Sequence, residues 1–201
     1  MDARSAALTD QSSRFIGRSA PEFHMRDART SVSTAGDFER AAKSATLPRV
    51  KESERITEQL KRAFEGGAWH GPSVREALEG VTAAEAAARP IPNAHSIWEL
   101  VLHITAWESI VRRRLRGENV DVTPQVDWPK VHETTDAAWA RAIDELTRGH
   151  LQLRETAAGY DDARLDDKPA GGSTAYVLLH GAIQHDLYHA GQIVLLRKRA
   201  K

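Results

Sequence analysis

The segment HSIWELVLHITAWESIVRRRLRGE, residues 95–118, decides how the chain reads. Ser96 followed three residues later by Glu99 is a capping box, and Gly117 stands where a helix commonly ends. Between them Ile97, Leu100, Val101, Ile104, Trp107, Val111 and Leu115 recur at helical spacing and form one apolar stripe. Arg112, Arg113, Arg114 and Arg116 crowd the last turn, where they oppose the negative end of the helix dipole, and read as a solvated helix end. One imidazole interrupts the pattern. His103 lies three residues after Leu100 and four before Trp107, so it faces the core.

The segments on either side are also helical. Ile56, Leu60 and Phe64 recur every four residues until Gly66-Gly67 stops them. A connector follows, with Pro72 at a helix start, a break at Gly80 and closure by Pro90 and Pro92, and it reads as one or two short helices. After a loop from Glu118 to about Lys130, a third helix is expected from about Thr134 to Ala158, with Trp139, Ile143, Leu146, His150 and Leu153 on its stripe. A polar loop leads to a last helix capped by Ser173 and running to Arg199. No segment alternates with period two. Four long helices with a long multi-helix crossover between the first and second describe an all-α four-helix bundle.

At 201 residues the chain supports one well-buried core. Lys+Arg and Asp+Glu both number 28, so no global basic field draws the protein to nucleic acid or anionic membrane. Cysteine is absent, which excludes disulfides, thiolate zinc ligands and a cysteine nucleophile. The apolar runs are too short to span a bilayer. Residues 1–48 carry Ser, Ala, Arg and Thr without a period and read as a disordered extension, leaving 49–201 as the bundle domain. Translation from Met25 is a second reading of that extension. No signal-peptide core is found, and the expected location is cytoplasmic.

The chemistry gathers in HGAIQHDLYHAGQI, residues 180–193. His185 and His189 are one turn apart on a helix, on the stripe that also holds Leu178, Ala182, Ile193 and Leu196. Such a pair can chelate one divalent cation. Alone it decides little, but His103 adds a third inward imidazole from another helix. Three buried neutral rings need partners for their nitrogens, at ~1–3 kcal/mol for each unsatisfied group, and a shared cation satisfies three at once. Three protein ligands leave room for water or substrate. His180 lies about 140° around the helix from His185 and points elsewhere. His150 is a candidate fourth ligand or supporting group, and Gln192 a candidate partner for His189. Asp186, adjacent to His185, is expected to face solvent or a partner. Di-iron carboxylate bundles use Glu-x-x-His pairs, and this chain has none, so a binuclear centre of that kind is not expected.

Together AHSIWELVLHITAWE (94–108) and HGAIQHDLYHAGQI resemble the DinB/YfiT-like superfamily, and AWHGPSVREALEGVTAAEAAARPIP (68–92) resembles the segment that precedes the first motif there. The resemblance covers residues from about 47 to the C-terminus. It implies an up-down-down-up bundle, often dimeric, with a histidine triad for a divalent metal, whether Zn, Ni, Fe or Mn. Carried over, the triad is His103, His185 and His189. Relatives include bacillithiol and glutathione transferases and mycothiol-dependent maleylpyruvate isomerase. The resemblance therefore implies a hydrolase or a thiol transferase acting on a small molecule with an external low-molecular-weight thiol. A non-catalytic, stress-associated metal-binding protein is the alternative. Trp69, His70, Trp107 and Tyr188 are candidates to line the site mouth, with core packing the competing role for Trp107.

Overall fold

The computed structural model describes residues 50–200. Four long helices carry the fold: α1 (Glu52–Glu65), α4 (Ile97–Leu115), α6 (Asp136–Ala158) and α7 (Ala175–Arg199). Short helices α2 (Val74–Leu78) and α3 (Ala83–Ala87) fill the crossover, and α5 (Pro124–Asp127) lies in the loop before α6. Among the described residues there is no strand. No helix there is long and apolar enough to cross a membrane. The N-terminal extension, including the reading of Met25 as a start, lies outside the described residues.

Local chemistry sets each boundary. Ser96 and Glu99 form the expected reciprocal capping box, and the same device starts α2 with Ser73 and Glu76 and α3 with Thr82 and Glu85. Pro72 thus precedes the N-cap instead of opening the helix. The last helix starts one residue later than the sequence suggests, because Thr174, not Ser173, accepts the backbone N–H of Val177. The loop after α4 holds a helix that periodicity missed. Thr123 caps it and Pro124 sits in its first turn, but four residues are too few to show a stripe.

Helix directions follow from the contacts. Asp162, just beyond α6, accepts from the backbone N–H groups of Glu52 (2.7 Å) and Ser53 (3.0 Å), so α1 begins where α6 ends. Trp98 and Trp139 meet near the starts of α4 and α6, and Glu108 meets His150 midway, so these two helices run parallel. Arg114, near the end of α4, lies against Gly171 just before α7; a Cβ there would sit 3.0 Å from Nε, and φ is +76°. That places α7 antiparallel to α4. The Tyr176 N–H donates to the Leu165 carbonyl, which puts the starts of α7 and α1 at one end. The result is the up-down-down-up bundle.

The apolar interior forms two clusters. One joins the starts of α4 and α6 to the end of α7 and to α2 and α3, around Trp98, Ile104, Trp139, Leu146 and Ile193. The other joins α1 to the opposite halves of the same helices, around Leu60, Val111, Leu153 and Leu179. Between them runs a belt of buried polar side chains: His103, Glu108, His150, Asp186 and His189.

Candidate metal centre

His103 on α4 and His185 and His189 on α7 turn their Nε2 atoms toward one point. His185 Nε2 lies 3.0 Å from His103 Nε2 and 3.1 Å from His189 Nε2. Donors ~2.1 Å from a common cation sit about 2.9–3.4 Å apart, so these spacings suit one ion. The tautomers strengthen the fit. His103 Nδ1 is 2.6 Å from the Asp127 carbonyl, which can only accept, so Nδ1 carries the proton. His189 Nδ1 likewise faces Gln192 Oε1 at 2.6 Å. Both Nε2 atoms therefore present lone pairs, and the single Nε2 of His185 can donate to at most one of them. A cation satisfies all three. Burial holds the rings neutral: it pushes His185 and His189 down to about 4, and it also lowers His103.

The loop after α4 completes this wall. Asp127, at the end of α5, uses its carbonyl for His103 and its carboxylate for the Trp107 indole N–H, 2.7 Å away. Trp128 stacks on His103 (3.8 Å between centroids) and on its other face against His95 (3.5 Å). Neither Asp127 nor Trp128 carried a readable sequence signal, since both depend on the unanticipated α5.

The remaining candidates sort by position. Gln192 holds His189 as expected, and its amide N–H donates to the Tyr188 hydroxyl (3.2 Å). Tyr188 itself is exposed at the rim, with its ring 5.1 Å from that of His189. Trp107 is half-buried, 5.8 Å from the His185 ring, and lines a cavity of about 340 Å³ together with His185, Val111, Arg114, Leu178 and Ala182. The structure does not bring Trp69 and His70 to the triad. Both are exposed, Trp69 at 96%, in a loop whose Gly67 and Gly71 adopt positive φ and carry the pair outward. His180 is half-buried beside Tyr176, away from the three rings. A larger groove of about 730 Å³, bordered by Phe64, Trp139 and Thr147, contains none of these histidines, so size alone does not mark the site.

Three expectations are corrected. Asp186 is not at the surface but fully buried, because α7 packs against both α1 and α4 and hides far more than one stripe. His150 does not join the triad: its Nδ1 meets Glu108 Oε1 at 2.7 Å, and Asp186 Oδ2 lies 4.0 Å away. Glu108, His150 and Asp186 thus form a second cluster one layer from the first. Burial, reinforced by Asp186, raises Glu108 well above the usual carboxylate range; burial raises Asp186 to about 8 and pushes His150 down to about 3. Arg114, read from sequence as part of a solvated helix end, is half-buried on the cavity wall, with its guanidinium 5.9 Å from the Trp107 ring.

Fold and site together describe a helical bundle with a histidine-rich centre. Residues 54–193 match the DinB superfamily, and the chain belongs to that family. It is also similar to a solved structure from Enterococcus faecalis, described as a conserved protein, with a TM-score of 0.55 and 21% identity over 75% of this chain and 97% of that one. That likeness shows the fold alone. No curated protein matches.

Proposed function

We propose that His103, His185 and His189 hold one divalent cation, and that the protein is a metal-dependent enzyme on a small molecule, as hydrolase or thiol transferase. The carrying observation is the convergence of three Nε2 atoms, two of them fixed as bare acceptors by Asp127 and Gln192. When bound, the cation supplies a Lewis acid that lowers the pKa of water or a thiol held on it.

The chain's own residues do the rest. Asp127 and Gln192 orient two ligand rings and raise their basicity, while Trp107 and Trp128 exclude bulk solvent from one side. The 340 Å³ cavity beside His185 is the size of a small-ligand site. Arg114 puts a fixed positive charge on its wall among Val111, Val177 and Leu178. That combination suits a substrate with an apolar body and an anionic group. Since the chain has no cysteine, any thiol nucleophile comes as a cosubstrate.

Metal content of the purified protein, beside His103→Ala and His185→Ala, tests the centre; full metal retention by both variants would overturn it. Incubation of the loaded protein with small thiols and an electrophilic acceptor tests the chemistry. Bound metal with neither conjugation nor hydrolysis would leave the non-catalytic metal-binding protein as the better reading.

A further inference from the structure

The cluster one layer below the triad is as buried as any apolar core, yet it is made of two acids and an imidazole. Glu108 is 1%, His150 1% and Asp186 0% exposed. Among the described residues only histidines pair with the two acids: His150 with both and His185 with Asp186, with no lysine or arginine partner. The hydrogen-bonding capacity is largely unused. Glu108 Oε2, His150 Nε2 and both Asp186 carboxylate oxygens are buried without a partner. Four orphaned polar atoms in one spot are a heavy cost for a core, since each unmet group costs ~1–3 kcal/mol.

We propose that Glu108, His150 and Asp186 form a second cation site, two carboxylates and one imidazole, that takes a divalent first-row ion beside the histidine triad. One ligand atom from each residue lies within 4.8 Å of the other two, close enough for a single ion to gather them with small side-chain shifts. Three different helices contribute, α4, α6 and α7, so the site is preorganised by the bundle itself. Phe64 of α1 stacks flat on the His150 ring (3.9 Å, 7° between planes) and fixes its orientation. Gly149 leaves the flank of Glu108 open: an added Cβ would sit 3.6 Å from Oε2. The cavity borders the cluster, with Glu108 and Asp186 in its wall.

Charge and donor type indicate the ion. Binding displaces the protons that burial keeps on the two acids, and the resulting two carboxylates with a neutral imidazole match a dication's charge. A set with two oxygens and one nitrogen favours Mn²⁺ or Fe²⁺ more than the all-imidazole triad does, which suits Zn²⁺ or Ni²⁺. The two sites share a helix turn, and the His185 ring stands between them, with Nε2 toward the triad and Nδ1 4.0 Å from Asp186 Oδ1. The chain thus offers a two-ion centre without any Glu-x-x-His pair.

The test is a Mn²⁺ titration of metal-free full-length protein, counting bound ions per chain from the spectrum of free Mn²⁺. Two ions are expected for the parent, one for Glu108→Gln, one for His103→Ala, and none for the double variant. Asp186→Asn, equally isosteric, stands in if Glu108→Gln does not fold by circular dichroism. If the parent and the acid variants bind the same number of ions, or if His103→Ala binds none, the second site is overturned. Loss of an ion in Glu108→Gln but not in His103→Ala would sustain the second site and show that the triad takes no Mn²⁺; the same count with Zn²⁺, parent against His103→Ala, then overturns the triad if the two bind equally, so the two readings fail separately. Anomalous scattering from Mn²⁺-soaked His103→Ala crystals should place the retained ion against Glu108 and Asp186.

Discussion

At the scale of single residues, the side chains that hold the ligands are as exposed to test as the ligands. Gln192→Leu keeps the volume near His189 but removes the acceptor for its Nδ1 proton. Metal affinity is expected to fall about 10–100-fold, with the helix content unchanged; competition with a chelator measures it. The buried acids and imidazoles also set an acid-base signature for the metal-free protein. Asp186, at about 8, lies among Glu108 from α4, His150 from α6 and its neighbour His185. Its folded pKa is above the unfolded value, so its contribution is present at low pH and is lost as pH rises toward 8. His150, His185 and His189 are depressed to about 3–4 and act in the opposite sense, losing stability as pH falls below about 6.5. The windows overlap only below 6.5. Between pH 6.5 and 8 the melting temperature of metal-free protein should therefore fall, and Asp186→Asn should flatten that slope. An unchanged slope in the variant would reassign the effect.

At the scale of elements, the caps and stripes were legible because each is local. The Ser96–Glu99 box, the Gly117 stop and the Ile56–Leu60–Phe64 stripe all appear where spacing places them. Removing the box should show it: Ser96→Ala is expected to cost about 1 kcal/mol, a drop of about 2–4 °C in thermal melting for a domain of this size. The triad was legible for the same reason, as one i,i+4 pair plus one inward ring. What escaped was the approach of one helix to another. Glu108 falls four residues after Ile104 and three before Val111, on the apolar stripe itself, and Asp186 sits among Leu179, Ile183, Ala190 and Ile193 in the same way. A carboxylate on a buried stripe is the available sign, but taking the His185–His189 stripe as the one buried face of the helix turns Asp186, about 100° away, toward solvent. Trp128 and Asp127 had no such sign. Their positions depend on a four-residue helix whose docking against α4 is wholly tertiary.

For the whole molecule, the polar belt between two apolar clusters makes stability depend on what the belt holds. An ion at 100 times its dissociation constant adds about 2.7 kcal/mol to the folded state, so chelation should lower the melting temperature by about 5–10 °C. Calorimetry with and without chelator reads this directly, and no difference would mean that the belt carries no ion. Conversely, metal-free protein has more polar atoms in that layer than partners for them. Combining Glu108→Met, His150→Phe and Asp186→Leu should raise its melting temperature, as each unmet buried polar group that is removed relieves about 1–3 kcal/mol. The same variant should be unable to take up the second ion. A triple variant that melts lower would show that the cluster's packing outweighs its unmet hydrogen bonds.

Trp128, held flat between His95 and His103, gives the protein a light-emitting probe already in place. An excited indole in face contact with an imidazole is quenched when that ring gains positive character, through a proton or an ion at its far nitrogen. Of the five tryptophans, only Trp107 and Trp128 have ring contacts to the three imidazoles, and Trp69 emits from open solvent. Filling of the triad should therefore be visible as blue-shifted emission dimming while the red-shifted component from Trp69 persists. Occupancy could then be followed in real time, without a label, in the same cuvette as the reaction.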